Sequence, residues 1–266
     1  MKIATWNVNS LRVRLPQVLD WITAEQPDIL ALQETKLEDK NFPVAEIEAA
    51  GYQVIYSGQK TYNGVAILSR TAAQDIVTDI PGLDDHQRRI LFATYGDIRI
   101  LNVYVPNGEA VGSDKYAYKL GWLEKLTAYV KVQLAARPRL VLLGDFNIAP
   151  EARDVHDPQL WENSVLCSEP ERAAYRQLIG LGLCDTFRLF NQEESQFTWW
   201  DYRMAAFRRN MGLRIDHILV SQELCGASIS CQIDKTPRKL ERPSDHTPVV
   251  AVFGTDVAPN IGDVDT

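Results

Sequence analysis

Short apolar segments of strand length recur along this chain, and they restrict its fold more than any other feature. They are "KIATW", "DILALQ", "GVAILS", "RILNVYV", "RLVLLG", "IDHILVS" and "TPVVAVF". Apolar runs of this length, bounded by Gly and Pro, are typical of strands that are buried on both faces. The pattern therefore predicts an α/β protein built around interior strands.

Segments with helical spacing alternate with some of these strands. "LPQVLDWITAEQ" places its Leu, Val and Ile side chains on one face, and residues 116–135 repeat Leu and Val at the same period. Ser168, with Glu171 three residues later, forms the sequence pattern of a capping box, which predicts a helix start there.

A weak internal echo indicates how the strands are arranged. "ATWNVN" resembles "LGDFNIA", and "NGVAILSR" resembles "RIDHILVS". Two similar halves, packed sheet on sheet, would explain the echo. We find no linker or composition shift before about Gly254, so residues 1–254 are expected to form a single domain. Residues 255–266 contain three acids and no base and are expected to be a flexible acidic tail.

The N-terminus and the cysteines bear on location. "MKIATWNVNS" is not a signal peptide, and no run of the chain approaches the roughly 18 apolar residues of a membrane helix. The four cysteines form neither a CxxC pair nor a zinc-binding spacing. We therefore expect a cytoplasmic protein with reduced thiols and no membrane partner.

The net charge of −7 counts against a nucleic-acid partner. Without the three acids of the tail the net charge is −4, and a metal site would account for several more carboxylates. The basic residues come in four bursts interleaved with aromatics, at 87–89, 115–119, 203–214 and 235–242. Each cluster of basic residues by itself is typical of solvated surface, but the four together favour a face that binds nucleic acid.

Polar residues recur where the predicted strands end. Asp145 and Asn147 follow "LVLL" directly and lie two residues apart, so both point to the same side of an extended chain. They form either an Asx turn that caps its own backbone or part of a functional site. Similar strand-end positions are held by Asn7, Glu34, Asn102, Tyr104, Asp216, His217, Asp245 and His246.

The composition of this set indicates its chemistry. Carboxylate and amide oxygens without any thiolate suit Mg²⁺ or Mn²⁺ better than structural zinc. The chain has no Walker-type glycine loop and no GxSxG motif, which argues against covalent serine chemistry. The set favours metal-assisted hydrolysis of a phosphate ester.

Eight motifs carry a resemblance to a known family. "LQETK", "GVAILS", "NVYVPNG", "LLGDFNIAP", "LGLCDTFR", "FTWWDYR", "GLRIDHILVS" and "RPSDHTPV" together resemble the exonuclease III family of apurinic/apyrimidinic endonucleases, from Met1 to about Phe253. That family lies within the endonuclease/exonuclease/phosphatase superfamily. The resemblance implies a four-layer αββα sandwich of two facing mixed sheets flanked by helices.

The same resemblance implies a role for each site residue. Glu34 would bind Mg²⁺ or Mn²⁺, with Asn7 and Asp245 nearby. Asp145 would be the general base or would orient water, and Asn147 would hold substrate or nucleophile; both are also candidate metal ligands. His246 would contact the scissile phosphate, Asp216 would orient its imidazole ring, and Tyr104 would contact the phosphate.

The implied partner is double-stranded DNA with abasic sites or blocked 3′ ends, bound by a monomer. The family's rim loops suggest DNA contacts at Lys60, Asn63, Arg88, Asn107, Lys115 and Arg214. Trp199 matches the position that packs against a flipped-out abasic sugar, whereas Trp200 is assigned to the core.

Three questions stay open at this point. Residues 151–172 depart from better-known members of the family near the expected lesion pocket, so the balance between abasic-site incision, 3′-exonuclease and 3′-phosphatase activity is not fixed. A phosphatase or phosphodiesterase acting on lipid head groups or inositol phosphates is one alternative function. A DNA-binding homologue without catalysis is another.

Overall fold

The strands form two large sheets and one short ribbon in the computed structural model, which describes residues 1–83 and 85–254. The first sheet comprises β1 (Lys2–Asn7), β2 (Ile29–Gln33), β3 (Gln53–Ser57), β4 (Val65–Ser69), β13 (Ser228–Ile233) and β14 (Val249–Phe253). The second comprises β5 (Gln74–Val77), β6 (Ile90–Tyr95), β7 (Ile98–Tyr104), β8 (Leu140–Asp145), β9 (Leu183–Asp185) and β12 (Asp216–Ser221). The ribbon pairs β10 (Trp199–Trp200) with β11 (Gly212–Leu213).

Helices lie between these strands along the chain. They are α1 (Leu11–Glu25), α2 (Val44–Ala49), α3 (Asp114–Ala136), α4 (Glu169–Gly180), α5 (Thr186–Phe190) and α6 (Gln222–Gly226). Short 3₁₀ turns occur at Asp39–Asn41, Ala152–Asp154, Arg203–Ala205 and Pro237–Lys239. The predicted capping box is confirmed, because Ser168 and Glu171 cap α4 reciprocally.

Three apolar clusters divide the molecule into four layers. The central cluster joins the inner faces of both sheets, for example Ile67 on β4 and Leu143 on β8. A second cluster packs α3 and α4 on the outer face of the second sheet, and a third packs α1 and α2 on the outer face of the first. The predicted αββα sandwich of two mixed sheets is confirmed.

Both sheets share one strand pattern that places their polar ends together. In the first sheet β1 runs parallel to β2, and β4 is antiparallel to β2. In the second, β7 runs parallel to β8, and β12 is antiparallel to β8. By its position in the sheet, β1 therefore corresponds to β7 and not to β8. The predicted correspondence of "ATWNVN" with the β8 segment "LGDFNIA" is wrong. The echo of β4 with β12 is correct.

Two of the four cysteines form a disulfide, contrary to the expectation of reduced thiols. Cys184 on β9 and Cys225 in α6 form a disulfide, with Cα atoms 6.1 Å apart. The expectation of reduced thiols is wrong for this pair, because the fold brings two segments together that lie 41 residues apart in sequence. Cys167 and Cys231 are free and buried.

Two further expectations concern the chain as a whole. Across residues 1–83 and 85–254, no helix has both the length and the apolar character needed to cross a bilayer. The predicted acidic tail, residues 255–266, lies outside the described residues, and the single-domain boundary at 254 stays a prediction.

Candidate active site

The polar strand ends meet at one edge between the two sheets. Asn7 ends β1 and is fully buried there. Its Nδ2 donates to Glu34 Oε1 at 2.9 Å and to Asp145 Oδ2 at 2.8 Å. Since Asp145 ends β8 in the opposite sheet, one amide group connects the two halves of the predicted site.

Three predicted residues converge at one point of the site. One ligand atom each from Glu34, Asp145 and His246 lies within 4.8 Å of the others. The two carboxylates supply the hard oxygen ligands that divalent cations such as Mg²⁺ and Mn²⁺ prefer. The donor set therefore fits the predicted metal. Asn7, a predicted ligand, instead turns its Nδ2 toward both carboxylates, and its Oδ1 accepts from the Asn9 N–H at 3.0 Å.

Asp245, a further predicted neighbour of the metal, is engaged differently. Its carboxylate accepts hydrogen bonds from Asn9 Nδ2 at 2.9 Å and from Trp199 Nε1 at 3.0 Å. It is absent from the three-residue cluster that the described part of the chain forms. Asp245 therefore connects the site to Trp199, a contact that sequence reasoning did not anticipate.

His246 and Asp216 form a buried pair. His246 Nδ1 lies 2.9 Å from Asp216 Oδ2, and both residues are almost fully buried. Burial by itself lowers the pKa of His246, but the Asp216 carboxylate and then Asp145 raise it to about 10. The imidazole is therefore a cation at neutral pH, with Nδ1 held by Asp216 and Nε2 directed toward Asp145.

The space between His246 and Asp145 suits a third group. His246 Nε2 lies 3.7 Å from Asp145 Oδ2, which is longer than a direct hydrogen bond. An imidazolium and a carboxylate thus face the same point from two sides. Such an arrangement can stabilise a phosphoryl oxygen with the first group and orient a water molecule with the second.

The loop after β8 satisfies both interpretations of the Asp145–Asn147 pair. Asp145 Oδ1 accepts from the backbone N–H of Asn147 at 2.9 Å, which is an Asx turn, while Oδ2 faces the site. Gly144 permits the approach of β8 to β7, because a Cβ there would lie 1.9 Å from the carbonyl oxygen of Val103. Asn147 adopts a φ of 49°, a conformation that Asn tolerates well.

The two carboxylates of the cluster differ in proton affinity. Burial raises the pKa of Asp145 to about 7, against the opposing charge of His246. Burial also favours neutral Glu34, but the Lys36 ammonium, 2.9 Å from Glu34 Oε2, and the Asn7 hydrogen bond hold the pKa of Glu34 below its ordinary value. Glu34 is thus an anion at neutral pH, whereas Asp145 is suited to exchanging a proton there.

Tyr104 and Asn102 on β7 have separate roles. Burial, followed by the Glu34 and Asp145 charges, holds the pKa of Tyr104 well above its ordinary value, so its hydroxyl group remains a donor. The Arg89 guanidinium packs 4.6 Å from the centre of the Tyr104 ring. Asn102 lies in the core and donates to the carbonyl oxygens of Leu32 and Ala66, which makes it an inter-sheet support.

Five of the predicted DNA contacts differ in their exposure to solvent. Lys60, Asn107 and Lys115 are exposed, Arg88 is half-buried and Asn63 is largely buried. Asn63, Asn107 and Lys115 line a cavity of about 390 Å³ that also contains Tyr62 and Arg89. Lys60 lines a separate cavity of about 380 Å³ together with Arg12 and Lys36.

Arg214 contradicts its predicted place at the DNA surface. Only 1% of the residue is exposed, and its Nε donates to Asp154 Oδ1 at 2.6 Å. Its Nη1 lies 2.8 Å from Asp185 Oδ2. The basic burst at 203–214 therefore ends in a buried ion network, and Arg214 supports the start of β12 instead of reaching outward.

Trp199 lines an apolar pocket beside the charged cluster, and Trp200 lies in the core as predicted. The pocket has a volume of about 440 Å³ and is lined by His156, Leu160, Trp161, Ser164, Trp199, Asp201, Arg203, Met204, Ala206 and Met211. A β-bridge between Trp199 and His246 fixes the pocket directly against the site. Residues 156–164, which lie in the segment that departs from the family pattern, thus form one wall of this pocket.

His217 was predicted at a strand end without a role, and the structure shows which groups it contacts. Its Nε2 bonds to the carbonyl oxygen of Ile148 at 2.9 Å, and Arg214 lies 3.1 Å from Nδ1. Burial, followed by the Arg214 charge, lowers the pKa of His217 to about 4. His217 is therefore a neutral support beneath the Asp145–Asn147 loop.

We expect His217 to make the protein sensitive to acid. Between pH 6.5 and pH 4 the unfolded chain binds a proton at this position and the folded chain does not, so stability falls as pH falls through that window. The wild type should lose about 2 to 3 kcal/mol of unfolding free energy relative to His217→Gln between pH 7 and pH 4.5. Denaturant unfolding of both proteins at both pH values measures the two changes in unfolding free energy. Subtracting the change in the variant from that in the wild type cancels the contribution of all other titrating groups. A difference that does not change with pH would refute the assignment.

Comparison with known proteins identifies relatives over nearly the whole chain. The sequence model of the Endonuclease/Exonuclease/phosphatase family matches residues 4–246. The exodeoxyribonuclease III of Haemophilus influenzae is 36% identical in an alignment of 266 positions that covers 95% of this chain and 100% of the relative.

Two solved structures share the fold and much of the sequence. The 3′-phosphatase NExo from Neisseria, bound to a product DNA hairpin, is 49% identical with a TM-score of 0.94, over 96% of this chain and 99% of the other. An AP endonuclease from Archaeoglobus fulgidus is 42% identical with a TM-score of 0.92, over 95% of this chain and 99% of the other.

Proposed function

This chain belongs to the Endonuclease/Exonuclease/phosphatase family, and from that premise we propose that it hydrolyses phosphate esters of DNA at the cluster of Glu34, Asp145 and His246. It is a DNA repair nuclease of the exodeoxyribonuclease III and AP endonuclease type. The observation that carries the proposal is the convergence of two carboxylates and an Asp216-bound imidazolium at one point beside an apolar pocket.

Each residue is assigned a task that follows from its chemistry. Glu34 and Asp145 would hold a divalent cation, which we propose is Mg²⁺ or Mn²⁺ and which, when bound, would offset negative charge on the phosphate. Asn7 sets the spacing of the two carboxylates by donating to both. Asp145 orients the attacking water and accepts its proton, since burial raises the pKa of this carboxyl to about 7.

The remaining residues stabilise and position the phosphate. His246 donates from Nε2 to a phosphoryl oxygen, and Asp216 keeps its ring charged and oriented. Tyr104 donates its hydroxyl proton in a hydrogen bond to the phosphate. Asn147 holds the substrate or the nucleophile, and its own side chain is fixed by donation from Nδ2 to the carbonyl oxygen of Val105 at 3.0 Å.

For the substrate, we propose 3′-blocked ends and abasic sites of double-stranded DNA. The apolar pocket behind Trp199 suits a sugar that has left the helix, and a 3′-phosphatase is among the relatives. Lys60, Arg88, Asn107 and Lys115 are the proposed contacts to the DNA backbone, and Asn63 lines the same cavity as Asn107 and Lys115. A monomer in the cytoplasm is the proposed form.

A substrate panel tests this proposal. End-labelled duplexes that carry an abasic site, a 3′-phosphate or an undamaged recessed end are incubated side by side with Mg²⁺, and an inositol phosphate serves as the non-DNA ester. We expect turnover of DNA that exceeds turnover of the inositol phosphate by orders of magnitude. Turnover of the inositol phosphate alone would favour a phosphatase outside DNA repair, and binding of DNA without turnover would indicate an inactive homologue.

We expect Trp199→Ala to lower abasic-site incision more than 3′-phosphate removal, because only incision requires the sugar to leave an intact helix. The loss should be on the order of 1–3 kcal/mol, which corresponds to about 5- to 150-fold in rate. Trp199→Phe keeps a ring but loses the hydrogen bond to Asp245, so it separates the pocket wall from the Asp245 contact. Steady-state rates on both substrates measure the effect.

A competing explanation of Trp199 is that it only packs the core. In that case Trp199→Ala should lose roughly 3–5 kcal/mol of folding stability, and both activities should fall together. Thermal unfolding measured beside the two rates decides between the explanations. An equal loss of both rates with a much lower melting temperature would refute the pocket assignment.

A further inference from the structure

Lys119 is a buried lysine that sequence reasoning placed on the surface. It ends the basic burst "KYAYK", yet it lies on the inner side of α3 and is completely inaccessible to solvent. Its ammonium group donates to three acceptors. They are the carbonyl oxygen of Asn107 at 3.1 Å, the carbonyl oxygen of Asn147 at 2.7 Å and Glu171 Oε1 at 2.5 Å.

The two carbonyl acceptors belong to the loops that carry proposed site residues. Asn107 lies on the loop after β7, and Asn147 lies on the loop after β8. Their side chains also meet, since Asn107 Nδ2 donates to Asn147 Oδ1 at 3.3 Å. Next to Asn107, Gly108 has a φ of +93°, and a Cβ there would lie 3.1 Å from Lys119 Cδ. The loop thus packs closely on the lysine stem.

Glu171 extends the same contact to the pocket wall. Its Oε1 accepts from the backbone N–H of Leu166 at 3.0 Å, and its Oε2 accepts from the N–H of Ser168 at 3.1 Å. The carbonyl of Leu166 in turn accepts from the N–H of Ala149, on the loop that follows Asn147, at 2.8 Å. One buried ion pair therefore joins both site loops to the segment that lines the Trp199 pocket.

We infer that Lys119 is a positioning residue for hydrolysis, which sets the place of Asn147 relative to Asn107 by holding both backbone carbonyls. Three fixed acceptors around one ammonium group define its position more tightly than ion pairing alone requires. A shift of about 1 Å in a group that holds substrate or nucleophile can cost about 100-fold in rate. This inference rests on the proposed function of the same site.

The experiment separates positioning from stability with a charge-matched pair of substitutions. Lys119→Met leaves Glu171 buried without its cation, so this variant is expected to be unstable for electrostatic reasons alone. Lys119→Met combined with Glu171→Gln removes both charges. The Gln oxygen can still accept from the Leu166 N–H, and its NH2 group can donate to the Ser168 hydroxyl oxygen. The exposed Lys131→Met on the same helix is the matched control.

The readouts are the melting temperature and the separate values of kcat and KM on an end-labelled duplex with a 3′-phosphate and Mg²⁺. We expect the double variant to melt close to the wild type, with kcat lowered about 10- to 100-fold and KM changed less than about threefold. A double variant that regains wild-type kcat, loses affinity only or does not fold would overturn the inference. A wild type without any hydrolysis would instead refute the proposed function.

Discussion

Asp145→Asn is expected to abolish most of the hydrolytic activity, with a loss of roughly 100-fold or more in kcat. The substitution keeps the shape of the side chain and the acceptor for the Asn147 N–H, so the Asx turn should persist. It removes the only group of the cluster whose pKa of about 7 suits it to take a proton from water. It also turns an amide toward Asn7 Nδ2, which then loses an acceptor.

Stability distinguishes this chemical effect from misfolding. A buried carboxyl whose pKa is raised by burial is already costly as an anion, so its loss should change the melting temperature little. Glu124→Gln, on the exposed face of α3, is the control and should keep the wild-type rate. Single-turnover cleavage of a 3′-phosphate duplex measures the rate. Wild-type cleavage by Asp145→Asn would mean that the assignment of the base is wrong.

Asp154→Ala is expected to cause a large loss of stability. Asp154 is completely buried and accepts from Arg214 Nε at 2.6 Å and from Arg188 Nη2 at 2.5 Å. Its removal leaves two largely buried guanidinium groups with fewer partners, which typically costs about 3–5 kcal/mol. For a chain of this size that corresponds to a fall of roughly 10 °C in melting temperature.

An exposed ion pair provides the comparison for Asp154. Glu169 pairs with Arg176 on the surface of α4, where both side chains are more than half exposed. Glu169→Gln should therefore change the unfolding free energy by less than about 1 kcal/mol. Well below its melting temperature, Asp154→Ala should lose less activity than Asp145→Asn, because Asp154 supports β12 without facing the substrate. Unfolding of Asp154→Ala at the wild-type temperature would show that the network adds nothing to stability.

The sequence predicted the features that depend on local pattern and motif order. Apolar strands that end in Asn7, Asp145 and Tyr104 predicted a layered fold with one polar edge, and the two parallel pairs place these ends together. The pairing of Asp216 with His246 came from the resemblance to a family, since nothing local connects residues 30 positions apart.

The sequence failed where the partner of a charge is distant along the chain. Arg214 and Lys119 read as surface cations because each lies in a basic burst. Their acids, Asp154 and Glu171, are 60 and 52 residues away, so a charge pattern cannot reveal the pairing. The bond from Trp199 to Asp245 was missed for the same reason, as these residues are 46 positions apart. Burial of a charged group depends on the tertiary fold, which periodicity alone does not describe.

The metal dependence of hydrolysis tests most directly whether Glu34 holds a divalent cation at the site. The wild type and Glu34→Gln are freed of metal with EDTA, and hydrolysis of a 3′-phosphate duplex is then measured as Mg²⁺ or Mn²⁺ is added back. We predict that the wild type is inactive without metal and regains full activity in a saturable manner, whereas Glu34→Gln stays at least about 100-fold slower or requires far more metal. Hydrolysis by the wild type that persists in EDTA, or a Glu34→Gln variant with an unchanged metal response, would rule out a divalent cation held by Glu34.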